Sequence, residues 1–440
     1  MWRALAIAVL GATPLAAQEF FTLRGHGGPI MDVTVSASGQ IATASFDNSV
    51  GVWQGDVPAW HEGHRAAVNV VRFVDTGLLA SGGDDNQLWL WADDTGRKAL
   101  AHTAKIVDIA VSPDGQTIAT ASWDHRIGLT SVTQRDAPLP DWQISTAHMT
   151  GHKQGVNAVA FGGDGNTLYS ASVDGTIRSW NVQDPTAAST VIAKHGFGVN
   201  ELVVNDADGW LAYGATDGGT RILDLATGAP LADFTLDRRP ILSMAYAPAT
   251  KTLAVGDGQG FIMLIDTGAM QITHDFRAAR NGPVWALAFS PDGQNLHAGG
   301  IEDIVYSWPV DTMTTLDPMA DTPRSFLEKP ETLANGERQF KRKCSICHTL
   351  RQGSARRAGP SLHALFGRRA GTVADYTYSE TLRGSDIIWT AQTINALFDQ
   401  GPDHYIPGTK MPMQRIVDPQ DRDDLIDYLR TNTDAERDLK

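Results

Sequence analysis

Cysteine is scarce in this chain, because its 440 residues contain only two. Both lie in residues 344–348, which read Cys-Ser-Ile-Cys-His. A structural zinc site takes four ligands, and the chain has no further cysteine to complete one. A thioredoxin-like dithiol lies within a βαβ pattern, and the surrounding sequence shows none. The low number of cysteines therefore argues against a structural zinc site, and the missing βαβ pattern argues against a thioredoxin-like dithiol.

Long hydrophobic runs and an excess of positive charge are also missing. No apolar stretch reaches the roughly 18–20 residues that a membrane helix needs. The formal net charge is -14, whereas binding to nucleic acid requires clustered lysine and arginine. We therefore expect neither a membrane span in the mature chain nor a nucleic-acid partner.

The spacing of the two cysteines suits one particular chemistry. Residues three and four apart share a face of a helix, so Cys344 and Cys347 present two thiols on one side. Two thioether bonds to one haem need this arrangement, and His348 follows directly as an iron ligand. C-x-x-C-H is the attachment motif of c-type haem, which predicts one covalently bound haem c.

The first seventeen residues differ from the rest. Arg3 provides a positive start, residues 4–12 are apolar, and residues 13–17 end the segment with small side chains. This pattern is typical of a secretory signal peptide that is cleaved, here after Ala17. An ordinary N-terminal strand or helix is the alternative. Export to the periplasm agrees with the haem motif, because bacteria attach this haem outside the cytoplasm.

Residues 18–310 contain a repeated pattern. Seven times, a turn residue that is usually Asp stands six positions before a strand residue that is usually hydrophobic. The pairs are Asp47 with Trp53, Asp85 with Trp91, Asp124 with Thr130, Asp174 with Trp180, Asp217 with Leu223, Gln259 with Ile265, and Glu302 with Trp308. Their spacing is close to the about 40–45 residues of a four-stranded propeller blade. Gly-His or similar pairs open several repeats, and Ser-Pro-Asp-Gly turns such as residues 112–115 join short strands.

This region resembles the WD-repeat family. The resemblance implies a seven-bladed β-propeller in which residues 19–23 supply the outer strand of the last blade. It also implies that the repeated His and Asp residues hydrogen-bond within blades, and that the propeller docks proteins. His125 and His297 fall outside this pattern, which assigns them no role. The acidic excess lies before residue 324; it either steers basic partners or simply keeps the protein soluble.

Residues 311–330 are rich in threonine and proline and are predicted to be a linker. A domain of residues 331–440 follows, with a first helix expected from Glu331 to Cys344 and a last helix from Asp418. This part resembles class I, mitochondrial-like cytochromes c. The resemblance implies an all-α fold in which Gly336 and Phe340 meet the last helix.

The same resemblance assigns residues to the haem. The Pro360 carbonyl would accept the ring N–H of His348. Five residues would donate to the propionates: Arg368, Tyr376, Tyr378, Ser379 and Trp389. Met411 would be the second iron ligand, with Met413 as the alternative. Leu397 stands near a family tyrosine, and residues 412–414 also depart from the family, which leaves the fine tuning of the potential open.

An iron held by His348 and Met411 has no open position, which favours single-electron transfer over catalysis. We therefore expect an electron carrier, not an enzyme, that works with redox partner proteins docking on the propeller or the haem edge. Basic residues near the motif favour an acidic partner, external or the chain's own propeller, unless they form only a solvated face. The alternative is a haem-fed oxidoreductase with a catalytic site on the propeller, similar to cytochrome cd-type nitrite reductase.

Overall fold

The computed structural model describes residues 19–433 except positions 76, 94, 134–141, 239, 281 and 316–331. The predicted signal peptide, the predicted start of the first helix at Glu331 and most of the predicted linker lie outside the described residues. Two regular regions are seen: strands up to residue 309 and helices from residue 335.

Strands dominate the first region. In the described part of the chain, 28 strands form seven antiparallel sheets of four. The first four sheets are β2(Ile30–Val35), β3(Ile41–Ser45), β4(Ser49–Gln54), β5(Val57–Glu62); β6(Val68–Asp75), β7(Leu78–Gly83), β8(Gln87–Ala92), β9(Thr95–Ala101); β10(Ile106–Val111), β11(Thr117–Ser122), β12(Arg126–Thr133), β13(Gln143–Thr150); β14(Val156–Phe161), β15(Thr167–Ser172), β16(Thr176–Asn181), β17(Thr190–Lys194).

The last three sheets continue the same order. They are β18(Val199–Asn205), β19(Trp210–Ala215), β20(Thr220–Asp224), β21(Pro230–Asp233); β22(Ile241–Ala247), β23(Thr252–Asp257), β24(Phe261–Asp266), β25(Gln271–Arg277); β26(Val284–Phe289), β27(Asn295–Gly300), β28(Ile304–Pro309) with β1(Phe21–Arg24). The predicted seven-bladed propeller is therefore confirmed.

The ring is closed by the N-terminal strand. β1 pairs antiparallel with β28, with Phe21 opposite Ser307 and Arg24 opposite Ile304. This confirms the expected outer strand of the last blade and ties the beginning of the described chain to the end of the propeller. Successive blades share buried clusters, such as Leu88 with Ile106, because one sheet cannot bury its own faces.

A 3₁₀ helix, Val310–Thr315, follows the last blade. Met313 is only 1% exposed and packs in the same cluster as Trp308. The first residues of the predicted linker therefore pack onto the propeller.

Helices form the second region, which confirms the expected all-α domain. They are α1(Asn335–Lys343), α2(Glu380–Arg383), α3(Ala391–Gln400), α4(Pro402–Tyr405) and α5(Pro419–Asn432). α1 begins later than predicted, at Asn335, and ends just before Cys344. No helix in the described ranges has the length and apolar character needed to cross a membrane.

α1 and α5 cross at close range. A Cβ atom added to Gly336 would lie 2.1 Å from the carbonyl oxygen of Asp424. One turn further on, the rings of Phe340 and Tyr428 are 5.6 Å apart between centroids. The expected roles of Gly336 and Phe340 are confirmed, and the crossing fixes the end of α1 from which the haem motif continues.

Candidate functional site

The repeated histidines of the propeller serve its structure. In the third blade, His102 Nδ1 is 2.9 Å from the Asp124 carboxylate and Nε2 is 2.8 Å from the Thr120 hydroxyl. The corresponding carboxylate pairs are His26 with Asp47, His64 with Asp85, His152 with Asp174, and His195 with Asp217. Burial lowers the pKa of His102, so the ring is neutral and both nitrogens are used within the blade.

The later blades replace this pattern. In the sixth blade, the sequence pattern pointed to Gln259, but Asp257 holds the turn by accepting the Gln259 backbone N–H at 2.8 Å. Asp257 also pairs with Arg238 at 2.8 Å. In the seventh blade, the Tyr306 hydroxyl donates to Glu302 at 2.6 Å. Other residue pairs thus take the place of the His–Asp pair in these two blades. This explains why the sequence repeat is weaker there although the four-stranded sheets still form.

The two unassigned histidines lie within blades. His125 occupies a turn with φ of 71°, and His297 lies in β27, where burial lowers its pKa to about 4. Among the described residues, no group of three or more His, Cys, Asp or Glu side chains is arranged to hold a metal ion.

The helical domain contains a cavity of about 380 Å³. It brings together every residue that the sequence assigned to the haem. These are Cys344, Cys347, His348, Pro360, Arg368, Tyr376, Tyr378, Ser379, Trp389 and Met411. Residues separated by up to 67 positions thus surround one space.

His348 is fixed in this cavity from two directions. The motif continues from α1 as a turn, in which the His348 backbone N–H donates to the Cys344 carbonyl at 2.9 Å. The ring Nδ1 donates to the Pro360 carbonyl at 2.8 Å, and a Cβ on Gly359 would lie 2.4 Å from ring Cε1. Burial lowers the pKa of His348. The ring is therefore neutral, and Nε2 has a free lone pair for a metal.

The two thiols line the same cavity. Burial raises the pKa of Cys344 to about 12 and that of Cys347 to about 11. Both side chains are thus protonated, uncharged thiols in the chain without haem. Their shared turn places them beside His348, as two thioether bonds to one porphyrin require.

The two candidate methionines lie in different places. Met411 lines the cavity. Met413 is 55% exposed and packs near Gly401, where an added Cβ would meet its sulfur at 2.8 Å. Of the two, only Met411 shares the space with His348, which favours it as the second ligand.

The proposed propionate donors also hold the loops around the cavity. Arg368 donates to the Ser361 carbonyl at 2.8 Å, and the Tyr376 hydroxyl donates to the Ala358 carbonyl at 2.6 Å. The Tyr378 hydroxyl accepts the Val373 N–H at 3.4 Å. Ser379 caps α2 by accepting the Leu382 N–H, and the backbone of Trp389 bonds to Gly367 and Arg368. Their action on propionates stays a prediction.

Apart from Leu397, sequence reasoning did not single out the side chains of the largely apolar wall. It includes Leu365 together with Ile394, Leu397 and Phe398 of α3, whose spacing of three and four residues is the sign of a helix face. The wall also includes four propeller residues, Phe46, Ala66, Ala67 and Asp84. No local pattern could have linked those four to the helical domain.

The residues present fit a haem c. The cavity offers two thiols on one side, an oriented imidazole, a thioether, and mostly apolar walls that would exclude water. An iron bound by imidazole and thioether would take up and release one electron.

Comparison with known proteins agrees with both regions. Residues 333–433 match the family described as Cytochrome c. The family described as WD domain, G-beta repeat matches residues 17–54, 58–92, 97–129, 143–181 and 270–308. These segments leave out residues 182–269, where the structure has two further blades.

Curated relatives resemble the helical domain. Cytochrome c of Nigella damascena is 43% identical over 102 residues, which are 23% of this chain and 89% of that protein. Cytochrome c of Ginkgo biloba is 43% identical over 101 residues, covering 23% and 88%. Cytochrome c of Guizotia abyssinica is 42% identical over 112 residues, covering 25% and 98%. The similarity therefore spans nearly the whole of these proteins and about a quarter of this chain.

Proposed function

Because the chain belongs to the cytochrome c family through its C-terminal domain, we propose that it is an electron carrier with one covalent haem c. Cys344 and Cys347 form the thioether bonds, and His348 and Met411 hold the iron. The observation that carries this proposal is the single cavity lined by all four side chains.

The chain's own residues would keep the site ready for electron transfer. The Pro360 carbonyl holds His348 in one tautomer, so the ring need not turn when the charge at the site changes. The apolar wall formed by α3 keeps water away, and water would otherwise reorganise with each electron. With His348 and Met411 holding the iron, the haem would supply one-electron exchange.

The propeller acts as a protein-docking scaffold for redox partners, and the protein is exported to the periplasm. WD repeats supply a rigid disc, and its repeated histidines are used internally, which leaves the loops for contact. Export is supported by Arg3, the apolar run of residues 4–12 and the small residues before Gln18, together with a haem motif that is loaded outside the cytoplasm.

Mass and absorption spectra of the purified full chain test the proposal. We expect the mature mass to exceed that of the chain from Gln18 by one haem, with a low-spin spectrum. Met411→Ala should lose the thioether ligand and change the spectrum toward high spin. Met413→Ala is the matched control and should keep the wild-type spectrum.

Three results would contradict the proposal. A mass equal to that of the amino acids alone would exclude covalent haem. A Met413→Ala spectrum that changes like that of Met411→Ala would reject the ligand assignment. A second cofactor, with turnover of nitrite or peroxide, would favour the haem-fed oxidoreductase instead.

A further inference from the structure

The helical domain alone does not enclose the haem cavity. Part of the wall comes from the propeller residues Phe46, Ala66, Ala67 and Asp84. They belong to the β3–β4 turn, the β5–β6 connection and the β7–β8 turn. In an antiparallel four-stranded blade these connections lie at the same end, so one face of the first two blades covers the cavity.

Residues 355 and 356 of the helical domain contact the propeller directly. Arg356 Nη2 lies 2.8 Å from Glu62 Oε1, and its guanidinium carbon lies 4.1 Å above the Trp60 ring. Ala355 and Arg356 have φ of 47° and 53°, a region that residues with a side chain rarely adopt. Such a conformation persists where surrounding contacts hold it.

On the propeller side, Gly27 contacts the loop that contains residues 355 and 356. A Cβ atom there would lie 2.3 Å from the carbonyl carbon and oxygen of Arg356. The blade itself does not require glycine at this position. In the first four blades the residue after the histidine donates its backbone N–H to the blade aspartate, and these residues are Gly27, Arg65, Thr103 and Lys153. The first blade differs because the cytochrome loop packs there.

Charged side chains of both domains also lie at the rim. Lys410, beside Met411, and Asp84 of the propeller both line the cavity.

We propose that this surface, called here the capping face, docks the haem edge of the chain's own cytochrome domain. The capping face consists of Gly27, Phe46, Glu62, Ala66, Ala67 and Asp84. Docking covers the cavity mouth, so a protein partner exchanges electrons with the haem only when the contact opens. Among the described residues, the contact includes the ion pair of Arg356 with Glu62, its cation–π pair with Trp60, and small side chains. Interfaces of this kind between domains are usually reversible.

This inference rests on the proposed haem, so the test combines two measurements on the full holoprotein. The first is amide hydrogen exchange in residues 354–359 and 63–67, which can be measured with or without haem. The second is oxidation of the reduced protein by excess ferric mitochondrial-type cytochrome c, which takes one electron, compared with oxidation by ferricyanide.

Gly27→Gln introduces a neutral side chain where the loop of residues 355 and 356 packs. Thr103→Gln is the control, because it places the same side chain at the equivalent position of the third blade. We expect Gly27→Gln to accelerate amide exchange in both segments and to raise the rate with the protein oxidant at least fivefold, with a smaller change for ferricyanide. Thr103→Gln should match wild type. Arg356→Ala should act in the same direction as Gly27→Gln without altering the propeller.

The possible failures are distinguishable. Amide exchange that stays at the wild-type level in both Gly27→Gln and Arg356→Ala overturns the docking. Faster amide exchange with an unchanged or lower rate for the protein oxidant overturns the gating of electron exchange. A chain without haem contradicts the proposed function, while amide exchange still decides whether the domains dock.

Discussion

At the scale of single residues, the orientation of the His348 ring depends on the two consecutive residues Gly359 and Pro360. The Pro360 carbonyl accepts a hydrogen bond from Nδ1–H, and Gly359 leaves room for the ring where a Cβ atom would collide with it. The glycine is needed for space, because any side chain there would occupy the position of the imidazole.

Gly359→Ala is therefore expected to displace the ring and weaken its bond to iron. The added methyl group would lie 2.4 Å from His348 Cε1, and overpacking of this kind costs about 1–3 kcal/mol. We expect a lower denaturation midpoint followed by haem absorption, and a changed low-spin spectrum.

Gly384→Ala is the control in the same domain. Its added Cβ would lie 3.7 Å from the Glu380 carbonyl oxygen, which is ordinary contact, and its φ of -98° suits alanine. Equal midpoints for the two variants would show that the His348 ring has room to move.

The residues of the candidate site could be predicted to very different degrees. Haem attachment needs Cys344, Cys347 and His348 within five positions, so chemistry alone imposes their spacing. Pro360 and Met411 are far apart, and only the family resemblance pointed to them. Phe46 and Asp84 could not be predicted, because their contact with the cavity depends on how two domains dock.

At the scale of secondary-structure elements, the crossing of α1 and α5 supports the end of the helix that leads to the haem motif. Gly336→Ala tests this crossing. Alanine normally stabilises a helix by about 0.5–1 kcal/mol relative to glycine, but here its Cβ would lie 2.1 Å from the Asp424 carbonyl oxygen. We expect a loss of about 1–3 kcal/mol in the unfolding free energy of this domain, measured by denaturant titration of the haem absorption.

Arg342→Ala is the control, because it introduces alanine at an exposed position of α1. It should leave the unfolding free energy within about 0.5 kcal/mol of wild type. A stabilising effect of Gly336→Ala would mean that the helices are further apart than the structure places them.

The blades show why some elements were easier to predict than others. In the first five blades a histidine stands 21 or 22 positions before the turn aspartate to which it hydrogen-bonds, so these blades carry a recognisable repeat. The sixth blade has Arg238 in place of the histidine, nineteen positions before Asp257. A substitute of that kind keeps the blade but changes both the residue type and the spacing in the sequence. The start of α1 was likewise misplaced, because the prediction began the helix at Glu331 and the structure begins it at Asn335.

At the scale of the whole molecule, charged side chains from separate blades meet in the central channel of the propeller. Arg72 of β6 pairs with Asp32 of β2 and lies 3.2 Å from Asp108 of β10. Asp108 also accepts the Val159 N–H of β14 at 2.9 Å. The residues are 36 to 51 positions apart, so composition alone could not indicate that the structure has a half-buried cluster joining four blades.

This cluster should make stability depend on pH. Burial raises the pKa of Asp108 to about 6, although Arg72 opposes the shift. A carboxyl whose folded pKa lies above its unfolded value of 3.8 binds its proton more tightly in the folded state. Its contribution therefore favours folding increasingly as pH falls from about 7 through 6, and it levels off below 3.8.

Asp108→Asn removes this titration while its amide oxygen can still accept the Val159 N–H. Between pH 7.5 and pH 5, the wild-type propeller should gain about 1 kcal/mol of unfolding free energy relative to the variant. Denaturant titrations followed by tryptophan fluorescence at both pH values measure the difference. His102 and His152, whose pKa burial lowers, lose stability on acidification in both proteins and therefore cancel.

Burial and then Asp108 raise the pKa of Glu201, so the measured difference is that of the coupled Asp108 and Glu201 carboxyls. Parallel pH profiles for wild type and Asp108→Asn would mean that Arg72 keeps Asp108 ionised throughout, and that the channel cluster adds no pH dependence.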